Sequence, residues 1–142
     1  MKENIYPPMH TAEHLLNQTM ARMFNADRCF SAHIEKKKSK CDYKFSRALT
    51  AEEIKRLENK INEIIRTDLP VIAEMMPSGE AKKLFSNRAP DGQDQIKIIK
   101  IGDYDAIPCV GAHVKSTKEV GQFRIISSDY NDGVLRIRYK LN

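Results

Sequence analysis

The 142-residue sequence predicts an α+β fold with a largely antiparallel sheet, and three observations carry that prediction. The elements read in the order helix, two strands, helix, strand, short helix, strand, loop, hairpin. A β-branched run through Ile96, Ile98, Ile99 and Ile101 stops at Gly102 and marks a strand. Between the last two strand patterns lies Asn131-Asp132-Gly133, residues that accept positive φ cheaply and so announce a hairpin.

Each element has its own justification. Pro7-Pro8 closes off helix formation upstream, and Met9, Ala12, Leu16, Met20 and Met23 recur at three- and four-residue steps, which predicts a helix over 9–24. Its apolar stripe should leave the neighbouring histidines on the border between core and solvent. Residues 29–36 and 41–47 read as two strands, since Tyr43 and Phe45 alternate with Asp42 and Lys44; they join through Lys36-Lys37-Lys38-Ser39-Lys40, a tip expected in solvent. Thr50 and Glu53 have the spacing of a capping box. Ile54, Leu57, Ile61, Ile64 and Ile65 then form one apolar face of a second helix that Pro70 ends. Residues 71–75 read as a short strand, Ser78 as the cap of a brief helix to about Phe85, and 87–94 as a polar loop around Pro90 and Gly92. Gly102 to His113 holds too much Gly, Pro and Asp for regular structure, so Cys109 and His113 should sit on a loop or a single helical turn. Strands at 123–127 and 134–139 close the chain.

A hydrophobic content of 41% and a charged content of 30% fit one domain spanning residues 1–142, long enough to bury about two thirds of its unfolded surface. No apolar run approaches the ~18 residues that span a bilayer, and Met1-Lys2-Glu3-Asn4 lacks the apolar stretch of a secretion signal, so no membrane association and a cytoplasmic location are expected. Three cysteines, an odd number, do not make a disulfide framework; they point to a reducing compartment with Cys29 and Cys41 as packed thiols. A net charge of +5 permits a polyanionic partner without requiring one. There is no internal repeat and no low-complexity linker.

The chemistry concentrates in His10-Thr11-Ala12-Glu13-His14 and Cys109-Val110-Gly111-Ala112-His113. Histidines four apart on a helix share a face, with Cβ atoms about 5–6 Å apart, so both imidazoles reach one ion. Cys109 and His113 repeat the spacing, and the resulting set of three nitrogens and one sulfur suits Zn2+. Each pair alone has a plainer reading, a polar helix face or a small buried hydrophobe; the matched pairs together favour metal. His10 to His14 also fits His-x-x-Glu-His, the inverted zinc-protease motif with Glu13 as general base. Such proteases take a third ligand from a later helix of a much larger fold, whereas here Cys109 and His113 complete the set.

These paired motifs, followed by Gly121 and Ile125 in a Gly-x-x-x-Ile pattern and a terminal Arg-Ile hairpin, resemble the editing domain of alanyl-tRNA synthetase and its stand-alone AlaX relatives, a domain shared with threonyl-tRNA synthetase. The resemblance runs from His10 to Leu141 through His14-Leu15-Leu16, Leu69-Pro70, Lys83-Leu84-Phe85 and Gly121-Gln122-Phe123-Arg124-Ile125-Ile126-Ser127, and is similar to the short, free-standing type. It implies hydrolysis of the ester joining a wrongly attached amino acid, typically serine, to the 3′ end of alanine tRNA. It also implies zinc held by His10, His14, Cys109 and His113, with Thr11 helping to read the amino acid. Ser31-Ala32-His33 falls where the family has a polar residue near the active site, which makes His33 a candidate proton carrier. Lys36, Lys37, Lys38 and Lys40 are candidate contacts to the tRNA backbone. Val110 and Ala112 depart from the family's Cys-Gly-Gly-Thr-His, and Asp42-Tyr43-Lys44-Phe45 exchanges the charges of its Arg-Phe-Asp-Phe strand. A zinc-stabilised RNA-binding module that has lost hydrolysis is therefore the second function the sequence allows, and the oligomeric state is left open.

Overall fold

A computed structural model of the chain describes residues 5–142, and of Asn87 the backbone alone; Met1-Lys2-Glu3-Asn4, read above for secretion signals, lies outside the described residues. Helix α1 (Pro7–Phe24) starts two residues earlier than its apolar spacing predicts. The first N–H groups of a helix have no intrahelical partner, so Pro7-Pro8 opens this helix instead of blocking what precedes it. Met9, Ala12, Leu15, Leu16 and Met20 are fully buried, and so, against expectation, is the polar face carrying His10, Thr11, His14, Asn17 and Thr19. Partners explain this. The Asn17 Oδ1 accepts from the Tyr43 hydroxyl at 2.7 Å and from the Cys29 N–H at 3.3 Å. The Thr19 hydroxyl donates to the Leu15 carbonyl at 2.7 Å and accepts from the Tyr104 hydroxyl at 2.6 Å. Buried polar groups satisfied in this way cost little to keep dry.

The structure is α+β with antiparallel pairing throughout, but the strands form two sheets. The larger has the order β1 (Ser31–His33), β2 (Ser39–Lys44), β7 (Val134–Leu141), β6 (Phe123–Asn131). β1 is shorter than predicted because the turn after it closes early: the Glu35 N–H donates to the Ser39 hydroxyl and that hydroxyl donates back to the Glu35 carbonyl, both at 3.0 Å. Lys36, Lys37 and Lys38 therefore occupy an exposed turn, while Lys40 lies within β2 opposite His33. β6 and β7 run longer than predicted. Asn131 pairs with Val134, leaving Asp132 (φ 47°) and Gly133 (φ 82°) as the two-residue turn that the right-handed twist of a hairpin favours.

Helix α2 (Ala51–Arg66) buries Leu57, Ile61 and Ile65 and forms the expected Thr50–Glu53 capping box. It also covers the edge of β6. The Asn62 side chain accepts from the Phe123 N–H at 2.8 Å and donates to the Phe123 carbonyl at 2.9 Å, and Glu58 accepts from the Ile125 N–H at 2.7 Å. These contacts satisfy backbone groups that an uncovered edge would leave open to another chain.

The smaller sheet has the order β3 (Val71–Pro77), β4 (Gln95–Ile101), β5 (Asp105–Pro108). β5 corrects the expectation of irregular chain from Gly102 to His113. Gly102, at φ 49° and with its Cα facing Leu69 so closely that a Cβ would lie 3.2 Å from the Leu69 side chain, turns the chain back, and Asp105 pairs with Ile101. The only proline of β5 is its last residue, where a missing N–H is tolerated. Ser78 is the first residue of α3 (Ser78–Phe85) and does not cap it; the cap position is Pro77 and no side chain bonds there. The main core joins α1 and α2 to the large sheet, and Met76, Ala81, Ala89, Ile96 and Ile98 form a smaller cluster under α3. Among the described residues no helix is long and apolar enough to cross a membrane.

Candidate metal centre

Helix α1 presents His10 and His14 one turn apart, and the chain leaving β5 brings Cys109 and then His113 against them. The Cys109 Sγ lies 3.3 Å from the His10 Nε2, and the Nε2 atoms of His113 and His14 are 3.1 Å apart. All four donor atoms fall within 4.8 Å of one another. Tetrahedral zinc with bonds of about 2.0–2.1 Å to nitrogen and about 2.3 Å to sulfur places neighbouring donors roughly 3.3–3.6 Å apart, so the cluster has the right size for that ion. The His10 and His113 rings stack with centroids 4.1 Å apart.

Three contacts hold the returning loop. The His10 Nδ1 donates to the Ala112 carbonyl at 3.1 Å, which leaves Nε2 free as a ligand atom. The Thr11 hydroxyl donates to the Pro7 carbonyl at 2.9 Å and accepts from the Val114 N–H at 3.1 Å, and the Lys97 ammonium donates to the Gly111 carbonyl at 3.2 Å. Thr11 is completely buried behind the donors, where its hydroxyl serves backbone. Thr11→Val is expected to orphan the Val114 N–H, to lower stability by about 1–2 kcal/mol and to weaken zinc binding about tenfold; thermal melting and competition against a zinc chelator measure the two effects.

Behind His14 stands Asp105, whose side chain is wholly out of solvent and whose Oδ2 is 3.5 Å from the His14 Nδ1. Arg28 donates to both Asp105 oxygens, at 3.0 and 2.9 Å, and Gln18 donates to Oδ1 at 3.0 Å. Burial alone would raise the Asp105 carboxyl, but His14 and Arg28 outweigh it and hold the group below its ordinary range. At His14 burial opposes charge, and the contacts with Asp105 and Cys109 overcome it, lifting the imidazole to about 9. Burial would likewise raise the Cys109 thiol, but its contacts with the His10, His113 and His14 imidazoles bring it down to about 4. The sulfur is thus a thiolate at neutral pH, the form that binds metal, and a cation entering the cluster displaces the His14 proton. Burial keeps His113 below its ordinary value, and its Nδ1, like that of His14, is a buried atom with no hydrogen-bond partner among the described residues, His14 meeting Asp105 only as a charge contact.

His10, His14 and Cys109 lie at the floor of an open cavity of about 940 Å3. β1 and Phe30 form one wall, with Met75, Arg88 and Lys97 among the residues of the other. His33 stands on the rim with its ring 65% exposed, in contact with the Glu35 carboxylate. The turn with Lys36, Lys37 and Lys38 continues from that rim, Lys36 reaching over the Tyr6 ring at 5.4 Å. The structure therefore gathers His10, His14, Cys109 and His113, places His33 in the cavity lining and Thr11 behind the cluster, and leaves Lys36, Lys37, Lys38 and Lys40 outside that lining. Sequence reasoning missed Asp105, Arg28 and Gln18. Nothing in Gly102-Asp103-Tyr104-Asp105 separates the buried carboxylate from its neighbour, since only the pairing of β5 with β4 turns Asp105 inward.

Comparison with known proteins extends the geometry. Residues 96–138 match the family described as threonyl and alanyl tRNA synthetase second additional domain. The alanine–tRNA ligase of Treponema denticola is 37% identical over 142 residues, covering 91% of this chain and 22% of the ligase. The alanine–tRNA ligase of Fervidobacterium nodosum is 33% identical over 135 residues, covering 90% of this chain and 15% of the ligase. The alanyl-tRNA editing protein AlaX-L of Pyrococcus horikoshii is 35% identical over 121 residues, covering 83% of this chain and 29% of that protein. The chain thus spans well under a third of the length of these relatives. The matched residues 96–138 run from β4 into β7 and include Cys109 and His113, so this part of the chain is similar to the threonyl and alanyl tRNA synthetase second additional domain.

Proposed function

We propose that this chain, as a single domain over residues 1–142, hydrolyses in trans the ester linking a wrongly attached amino acid, most readily serine, to the 3′ end of alanine tRNA. The observation that carries the reading is a four-donor cluster of which His10, His14 and Cys109 line the cavity. Its similarity to alanine–tRNA ligases and to an alanyl-tRNA editing protein supplies the substrate class.

Under this reading Lys36, Lys37, Lys38 and Lys40 bind phosphates of the single-stranded 3′ end, and binding weakens with a log-log salt slope of about −0.7 per phosphate. His10, His14, Cys109 and His113 would hold Zn2+. When bound, that ion would supply positive charge that acts on the ester carbonyl through its field, without an open coordination position. Asp105 and the Ala112 carbonyl fix the His14 and His10 rings through their Nδ1 atoms. Thr11 fixes the loop behind them through Val114. Four protein donors fill a tetrahedral shell, so proton transfer falls to a side chain at the cavity. We assign that role to His33, which lines the cavity: its ring takes a proton from the attacking water and returns it to the departing ribose hydroxyl.

Val110 favours the second reading, a zinc-stabilised RNA-binding module, because its side chain stands 48% exposed in the cavity beside Cys109. One experiment separates the two. A panel of tRNAs charged with serine, glycine or alanine is assayed for release of the free amino acid, with His10→Ala as control. Release that the control abolishes supports the hydrolase. Tight tRNA binding without turnover on any member of the panel overturns it in favour of the module.

A further inference from the structure

A second group of donors lies beside the first and takes no part in the reading above. Glu13, one turn along α1 from His10, meets Cys29 and Cys41 where the chain before β1 crosses β2. The Cys29 Sγ is 3.6 Å from the Glu13 Oε2, and one ligand atom from each of the three residues lies within 4.8 Å of the other two. Cys41 is fully buried and Cys29 nearly so, while both Glu13 and Cys29 also line the 940 Å3 cavity. The Glu13 carboxylate is partly exposed at the cavity and accepts from the Cys29 thiol, so carboxylate and thiols converge where an ion can reach them. The nearest imidazole, the His10 Nε2 at 3.8 Å from the Glu13 Oε1, already faces the first donor cluster.

We propose that Glu13, Cys29 and Cys41 form a second cation site, distinct from the His10–His14–Cys109–His113 cluster, selective for a thiophilic divalent ion and open to the same cavity. Two sulfurs and one oxygen select soft or borderline ions such as Zn2+ or Cd2+ over Mg2+ and Ca2+. In a tetrahedral site the neighbouring sulfur and oxygen atoms stand roughly 3.5 Å apart, close to the observed Cys29–Glu13 separation, and the fourth position faces the cavity, where water can fill it. Binding forms two sulfur–metal bonds and releases the two thiol protons to solvent. Glu13 stands between the sites, so an ion drawing its carboxylate toward Cys29 takes that carboxylate away from His10.

Metal-depleted full-length protein is titrated with Cd2+ under reducing conditions, and bound ions are counted by native mass spectrometry. Two Cd2+ per chain are expected, falling to one in Cys29→Ser/Cys41→Ser. A double variant that binds as many ions as the native chain overturns the proposal. A second measurement needs no variant that must fold: the alkylation rate of Cys29, read by peptide mass mapping, should fall at least tenfold when Cd2+ rises from one to two equivalents. A rate unchanged between these points also overturns it.

Discussion

Stripping the metal is expected to lower the melting temperature by about 10 °C or more. An ion that binds only the folded chain stabilises it by RT ln(1 + [L]/Kd), about 4 kcal/mol when free zinc exceeds Kd a thousandfold, and each kcal/mol moves the midpoint of a chain this size by roughly 3 °C. The structure gives a reason for the size of the effect. Three imidazoles and a thiolate are packed into one cluster, with His10 and His14 almost fully buried. Without a cation the clustered Nε2 and Sγ atoms face one another. Differential scanning calorimetry with and without a strong chelator checks this, and re-addition of one equivalent of zinc should restore the midpoint. His10→Ala should melt near the chelated protein and respond little to the chelator.

Asp105→Asn is expected to destabilise the fold by about 3 kcal/mol and to weaken zinc binding by one to two orders of magnitude. The substitution keeps the shape but removes the charge that compensates Arg28, itself largely buried, and breaking a buried pair typically costs about 3–5 kcal/mol. It also replaces the negative charge 3.5 Å behind His14 by a neutral amide, the kind of supporting contact worth about 10–100-fold in metal affinity. The pH dependence follows from the sign of the shift. Burial would raise the Asp105 carboxyl, yet His14 and Arg28 hold it below its ordinary value, so the folded state binds its proton less readily than the unfolded state. The stabilisation from Asp105 is therefore complete above the unfolded carboxylate value of about 3.9 and disappears as pH falls through the lower folded value. Urea denaturation from pH 7 to pH 3 should show the native chain losing stability in acid more steeply than Asp105→Asn.

What could be read from the residues was what they encode locally. The Thr50–Glu53 box, the turn at Asp132-Gly133 and the spacing of His10 from His14 and of Cys109 from His113 each depend on residues a few positions apart, and each forms. What could not be read depends on pairing across the chain. Nothing near Asp105 announces β5, because its strand partner is β4 after a turn at Gly102 that also resembles a loop. The division into two sheets has the same origin. Helix α1 was legible only on its apolar side; its polar side is buried because Tyr43, Cys29, Tyr104 and Ala112 happen to meet it, and those partners lie up to 102 residues away. Thr11 illustrates the consequence: its position beside His10 suggests a residue that meets substrate, while its hydroxyl in fact ties Pro7 to Val114.

The account depends on α1 and the chain after β5 sharing one cation, and X-ray absorption at the zinc edge of the purified protein, combined with its zinc content, tests that most directly. In the Cys29→Ser/Cys41→Ser background the predicted result is one zinc per chain in a shell of three nitrogens and one sulfur, with the sulfur contribution lost when Cys109→Ser is added. A shell without sulfur, or a zinc content that His10→Ala and Cys109→Ser leave unchanged, would contradict it.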